Sequence, residues 1–172
     1  NTNYYVWEDG DGTRHYFYRV STGTYVDEDG LYLTLTTTGS GTSQTCKITD
    51  QYGNISYFNT SGNLVKIENN QQTKSSITIT YTSNSAGEAR INTITDGAGR
   101  VYSFTYTNDL LTDISYKGSG TSVITNITFG YSGSKLIRIT DKDGKYVTYT
   151  YDDNNLLLTA QDVDGYKLQY TY

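Results

Sequence analysis

Apolar and polar residues alternate along this chain in short runs, and the runs recur. From Tyr146 to Asp152, Val147, Tyr149 and Tyr151 fall on one side of an extended strand. Thr148, Thr150 and Asp152 fall on the other, because successive strand residues face opposite sides. The strand follows Asp141-Lys142-Asp143-Gly144, which reads as a turn. Asp can bond its own backbone further on, and Gly accepts positive φ without strain. Asp96 to Gly99 leads in the same way into Tyr102, Phe104 and Tyr106, and Asp162 to Gly165 into Leu168, Tyr170 and Tyr172. In all three the same-face positions lie six, eight and ten residues after the Asp.

Earlier units are looser. Asp50 to Gly53 precedes Tyr57, Leu64, Val65 and Ile67; Asp27 to Gly30 precedes Leu31, Leu33 and Leu35; Asp9 to Gly12 precedes Tyr16, Phe17 and Tyr18. Ile77 to Tyr81 and Ile124 to Tyr131 lack the turn signature but occupy the gaps where a unit is due. The period is about 20–23 residues, in the range of stacked repeats. Each unit reads as a hairpin with an aromatic outgoing strand and a Leu-rich return such as Leu136-Ile137-Arg138-Ile139 or Leu156-Leu157-Leu158-Thr159. Ser61-Gly62-Asn63, Asn108-Asp109, Ser132-Gly133-Ser134 and Asp153-Asn154-Asn155 supply turns. Thr38–Thr45, Ser83–Glu88 and Lys117–Ser122 read as longer hairpin tips. No helical periodicity is evident. The expected fold is all-β: tandem hairpins in an extended, curved antiparallel sheet, with a Tyr/Phe ladder on one face and a Thr/Ser ladder on the other. The whole of 1–172 reads as one repeat array, degenerate over about 1–47 and clearer over about 48–172.

Composition sharpens this picture. Apolar residues are 35% of 172, which is low for a globule with a thick core. There are 19 Tyr against 4 Phe and 1 Trp. Tyr buries a ring and keeps its hydroxyl wet, which suits a thin sheet. The net charge of −5 argues against nucleic acid and anionic membranes as partners. Cys46 is the one cysteine, so no internal disulfide forms, and with His15 the single histidine a Cys/His metal cluster is excluded. No run is apolar enough for a membrane-spanning helix. The start at Asn1 reads as a piece cut from a longer polypeptide.

At these residues a family becomes recognisable. The Asp-x-x-Gly, aromatic-x-Tyr-Asp, x-Leu-x-x-Ile pattern resembles the YD repeat of bacterial RHS and wall-associated proteins, similar to the YD shells of teneurins and Tc toxin subunits. Gly144 to Leu156 is the best copy and contains the Tyr151-Asp152 pair that names the repeat. Asp96 to Tyr106 is nearly as good, with Thr107 in place of the Asp. The resemblance implies a spiralling sheet that in full-length relatives wraps around a C-terminal payload, often a toxin. It implies a secreted or cell-surface bacterial protein, non-enzymatic, acting as scaffold, spacer or part of a shell, with the rest of a larger polypeptide as its partner. The units here are too few to close a shell, and the segment at which RHS proteins cut themselves is absent.

Two features invite a site. The acidic turns, above all Asp27, Glu28 and Asp29, offer carboxylate oxygens of the kind calcium takes, although turn chemistry alone also accounts for them. Trp7, Tyr16, Tyr18, Tyr149 and Tyr151 could bind a glycan or a protein surface on an exposed aromatic face, although a packed ladder needs the same residues. Catalysis finds no support: His15 has no evident nucleophile, and Cys46 sits in an alternating strand as a small hydrophobe. Open sheet edges favour edge-to-edge self-association.

Overall fold

The computed structural model describes residues 4–73, 75–118 and 122–172. Among them the regular structure is all strand apart from one short 3-10 turn at Gly41–Ser43. The strands are β1 (Tyr4–Glu8), β2 (Arg14–Ser21), β3 (Thr24–Asp27), β4 (Thr34–Thr38), β5 (Thr45–Thr49), β6 (Ile55–Phe58), β7 (Leu64–Glu68) and β8 (Ser76–Ser83). They continue as β9 (Ala89–Thr95), β10 (Val101–Thr107), β11 (Leu110–Lys117), β12 (Val123–Ser132), β13 (Lys135–Thr140), β14 (Tyr146–Tyr151), β15 (Leu157–Gln161) and β16 (Lys167–Gln169). Strand order equals sequence order, with β1 and β16 at the two ends. The fold is therefore an open antiparallel meander of hairpins, as the alternating pattern predicts. The units without a turn signature, Ile77–Tyr81 and Ile124–Tyr131, lie in β8 and β12. Thr38–Thr45 is a hairpin tip built on the 3-10 turn, and Ser83–Glu88 is a tight turn. β11 runs on through Lys117, and residues 119–121 of the third expected tip lie outside the described residues.

The chain divides into two compact units, 1–80 with 95–98, and 81–94 with 99–172. In the first, one face carries a core centred on Phe17, Tyr25, Leu35 and Ile48, with Tyr5, Trp7, Leu33, Cys46 and Phe58 packed against it. These come from alternate positions of β1 to β6, so the pleat puts them on one side. Tyr5 meets Tyr25 edge to face at 4.8 Å, and its hydroxyl donates to Gln44 Oε1 at 2.8 Å. Cys46 is half-buried there, and burial pushes its thiol pKa up.

The second unit contains no fully buried hydrophobic side chain among its described residues. Its tyrosines are mostly half-buried and held by neighbours across the strands. Tyr102 lies 5.4 Å from Tyr116. Arg90 covers the Tyr106 ring at 4.1 Å and Arg138 the Tyr146 ring at 3.8 Å. Thr150, on the same face as Tyr146, shares a hydroxyl hydrogen bond with Thr159 at 2.6 Å. Such pairs contribute about 0.2–1 kcal/mol each and recur with every hairpin.

Candidate functional site

The turns repeat one geometry. In the turn at Asp141, Oδ1 accepts from the Asp143 and Lys145 N–H groups, both at 2.9 Å, while Gly144 N–H donates to the Asp141 carbonyl at 3.1 Å. Asp9, Asp50, Asn59, Asn84, Asp152 and Asp162 accept from the backbone two and four residues on in the same way. The fourth position is left-handed: Gly144 has φ 78°, Gly165 88°, and Asn155 67°. Each Asp or Asn thus caps its own turn. At Asp27 the loop is wider, and both carboxylate oxygens are engaged, Oδ2 by Leu31 N–H at 2.7 Å and Oδ1 by Leu33 N–H at 2.6 Å.

Between turns a second device recurs. Each Leu-rich return carries one extra residue: Val65, Thr112, Ile137 and Leu158 have no partner of their own in the ladder. The residue just before the bulge lies opposite the last aromatic of its own hairpin: Leu111 opposite Tyr106, Leu136 opposite Tyr131, Leu157 opposite Tyr151. Its carbonyl then accepts the hydroxyl of the next hairpin's tyrosine. Tyr131 donates to Leu111 and Tyr151 to Leu136, both at 2.8 Å; Tyr172 donates to Leu157 at 3.1 Å. Tyr106 likewise donates to the Ile91 carbonyl of the preceding hairpin at 2.7 Å. A bulge disturbs the ladder locally, and here the carbonyl beside it is bonded by a side chain from the neighbouring hairpin. Each tyrosine stitches its hairpin to the previous one.

The first unit holds a third arrangement. His15 is buried, with Asp29 Oδ2 3.0 Å from Nδ1 and Asp9 Oδ2 3.0 Å from Nε2. Only the imidazolium donates to both carboxylates. Its bonds to Asp9 and Asp29 raise the His15 pKa above the ordinary value. The bond from His15, with one from Asp11, lowers the Asp9 pKa to about 2. Trp7 lies over the imidazole at 5.1 Å. Trp7 also borders an open groove of about 420 Å³ whose walls include Leu33, Ile67, Asn54, Asn69 and Glu68. Glu68 is buried and paired with Lys66.

The expected site residues are distributed as follows. Trp7 is half-buried on the core face, whereas Tyr16 and Tyr18 are exposed on the opposite face, across from Val6 and Tyr4. Tyr149 is half-buried and lines a groove with Val147, Ala160 and Leu168. Tyr151 is half-buried, its hydroxyl engaged by Leu136. Asp27 and Asp29 turn their carboxylates to different partners, and among the described residues no group of three or more His, Cys, Asp or Glu is arranged to hold a metal ion. No helix among them is long and apolar enough to cross a membrane. The tyrosine stitch and the paired carboxylates of His15 are invisible to local pattern reading. The one signal available was the return of Tyr at the tenth position after Asp96, Asp141 and Asp162.

Comparison with known proteins agrees with this geometry. Residues 131–167 match the family model described as RHS Repeat, which spans the Tyr131 and Tyr151 stitches and the Asp141 and Asp152 turns. No curated protein matches the sequence. Among solved structures, TcdB2-TccC3 is similar at TM-score 0.52 and 19% identity, over 90% of this chain and 9% of that one. A Photorhabdus luminescens Tc holotoxin pore is similar at TM-score 0.52 and 19% identity, over 87% of this chain and 8% of that one. The chain thus spans less than a tenth of the length of either. Residues 131–167 thus carry an RHS repeat, within a chain whose fold is similar to that of these far longer chains.

Proposed function

We propose that this chain is a structural repeat segment of a larger secreted or cell-surface bacterial RHS protein, serving as scaffold, spacer or part of an encapsulating shell. The observation that carries the reading is the stitch from Tyr106 through Tyr131 and Tyr151 to Tyr172, which links each hairpin to its predecessor. Such an array is stabilised by nearest-neighbour terms and grows by addition of identical joints. Its role is mechanical and needs no catalytic group. The similarity in fold to much longer chains of Tc toxin structures supports a place within a long polypeptide. Stretching the chain between its ends in optical tweezers tests the reading. A scaffold of stitched hairpins should gain extension in successive steps of about one repeat, roughly 20 residues. Featureless extension at low force would contradict it.

A second reading rests on Trp7. Its ring borders a groove rimmed by Asn54, Asn69 and Asp50, a combination that suits a glycan. A glycan array probed with calcium and again with EDTA separates the two readings. Saturable binding lost in Trp7→Ala supports the groove, and loss in EDTA alone points to Asp27, Glu28 and Asp29. No binding in either condition removes this second reading.

A further inference from the structure

We propose that Tyr102 and Tyr116 form an oxidative cross-linking site, at which a haem peroxidase with hydrogen peroxide joins the two rings carbon to carbon across the β10–β11 hairpin. The two residues are directly opposed in the ladder, so both rings stand on the same face of the sheet. Their ring centres lie 5.4 Å apart, with the planes inclined by 32°. A biaryl bond draws two ring centres slightly closer than this, a motion within reach of side-chain rotation. The other tyrosines in ring contact among the described residues, Tyr5 and Tyr25, meet at 87°, so a ring edge there faces a ring face instead of another edge.

The surroundings of the pair favour loss of an electron. Tyr106, Tyr131, Tyr151 and Tyr172 commit their hydroxyls to backbone carbonyls, whereas those of Tyr102 and Tyr116 have no hydrogen-bond partner among the described residues. Tyr57, Tyr106, Tyr146 and Tyr151 each lie beneath a Lys or Arg, whose positive charge opposes oxidation of the ring. No such cation covers Tyr102 or Tyr116 among the described residues. Both rings are half-buried, so each meets its cross-strand neighbour more readily than a second molecule. Tyr32, Tyr52 and Tyr166 are exposed and couple between molecules instead. The chemistry balances. Each phenol gives one electron and one proton to the oxidant, and the two phenoxyl radicals join at carbons ortho to their oxygens. Each ortho carbon then loses its proton and each oxygen regains one, which restores both phenols. The pair has lost two electrons and two protons, and one hydrogen peroxide takes them up to become two waters. The new bond closes 102–116 into a ring around the tip at Asn108 and Asp109, so tension on the hairpin stops at the rung and residues 103–115 cannot extend. That mechanical consequence rests on the scaffold reading; the cross-link itself does not.

Peroxidase treatment of the dilute chain, followed by isolation of the monomer, tests this. Cleavage after Arg100 and Lys117 releases both rings in one peptide, 101–117, which also holds Tyr106. The treated monomer should show dityrosine fluorescence. Its 101–117 peptide should be two hydrogens lighter and should yield no fragment ions from backbone breaks between 102 and 116. Tyr102→Phe and Tyr116→Phe keep the ring packing and should each abolish both signals, whereas Tyr106→Phe should leave them. Treatment in urea should remove the preference for this pair, since the fold holds the rings together. A monomer without dityrosine, from a reaction whose exposed tyrosines couple between molecules, overturns the proposal. So does a cross-link in the unaltered monomer that maps to any other pair.

Discussion

The Tyr151 hydroxyl donates to the Leu136 carbonyl at 2.8 Å, one hairpin back in the sheet. Leu136 itself lies opposite Tyr131, whose hydroxyl reaches back to Leu111. The aromatic ring and the hydroxyl of one residue thus do different things. The ring packs within its hairpin, and the oxygen ties that hairpin to its predecessor. This accounts for a chain with many tyrosines and few phenylalanines in a sheet with little fully buried core.

Tyr149 separates ring packing from stitching, because its ring is half-buried and its neighbours are Val147, Ala160 and Leu168. Tyr149→Ala should destabilise the chain by about 1–2 kcal/mol, below the cost of a fully buried ring. Scanning calorimetry should show the lower melting temperature. An unchanged value would leave Tyr149 free for recognition. Tyr172→Phe, at a residue 76% exposed, should change stability by less than about 0.5 kcal/mol.

Turn chemistry makes a second test. Gly144 sits at φ 78°, so Gly144→Ala should cost about 1 kcal/mol or more. Asn155 sits at φ 67° in the equivalent position, and Asn155→Gly should be neutral or slightly stabilising. Urea denaturation of the two variants should move the midpoint in one case and hardly in the other.

His15 and Asp9 give a pH dependence of known sign. The folded His15 pKa is raised above 6.5, so its contribution is complete below 6.5 and is lost as pH rises through the raised value. The Asp9 pKa is lowered from 3.8 to about 2, so its contribution is present above 3.8 and is lost as pH falls toward 2. The melting temperature should therefore decline on both sides of the window between those values. In His15→Gln the alkaline decline should disappear. A His15→Gln profile parallel to that of the unaltered chain would show that the pair with Asp9 and Asp29 contributes nothing.

Much of the architecture was legible because it is written locally. Asp141 to Gly144 and Asp162 to Gly165 specify their turns by side-chain bonds to their own backbone, and β14 specifies its faces by alternation. The aromatic positions were legible as strand residues, but their division between faces in the first unit was not. Tyr16 and Tyr18 are exposed while His15 and Phe17 are buried, because the β1–β2 pairing places the latter two toward the core. The stitches could not be read, since they depend on a bulge whose position is set by the pairing of two strands. The ion pairs of His15 join residues 14 and 6 positions away across the fold, beyond any local pattern.

The most direct measurement is the stability of the chain with the three internal stitches removed and their rings kept, as Tyr106→Phe, Tyr131→Phe and Tyr151→Phe together. Each lost hydrogen bond should cost about 1 kcal/mol, so the triple variant should lose about 3 kcal/mol in urea denaturation with its strand content unchanged. Stability equal to that of the unaltered chain would contradict the account, because the hydroxyls would then contribute nothing to holding one hairpin to the next.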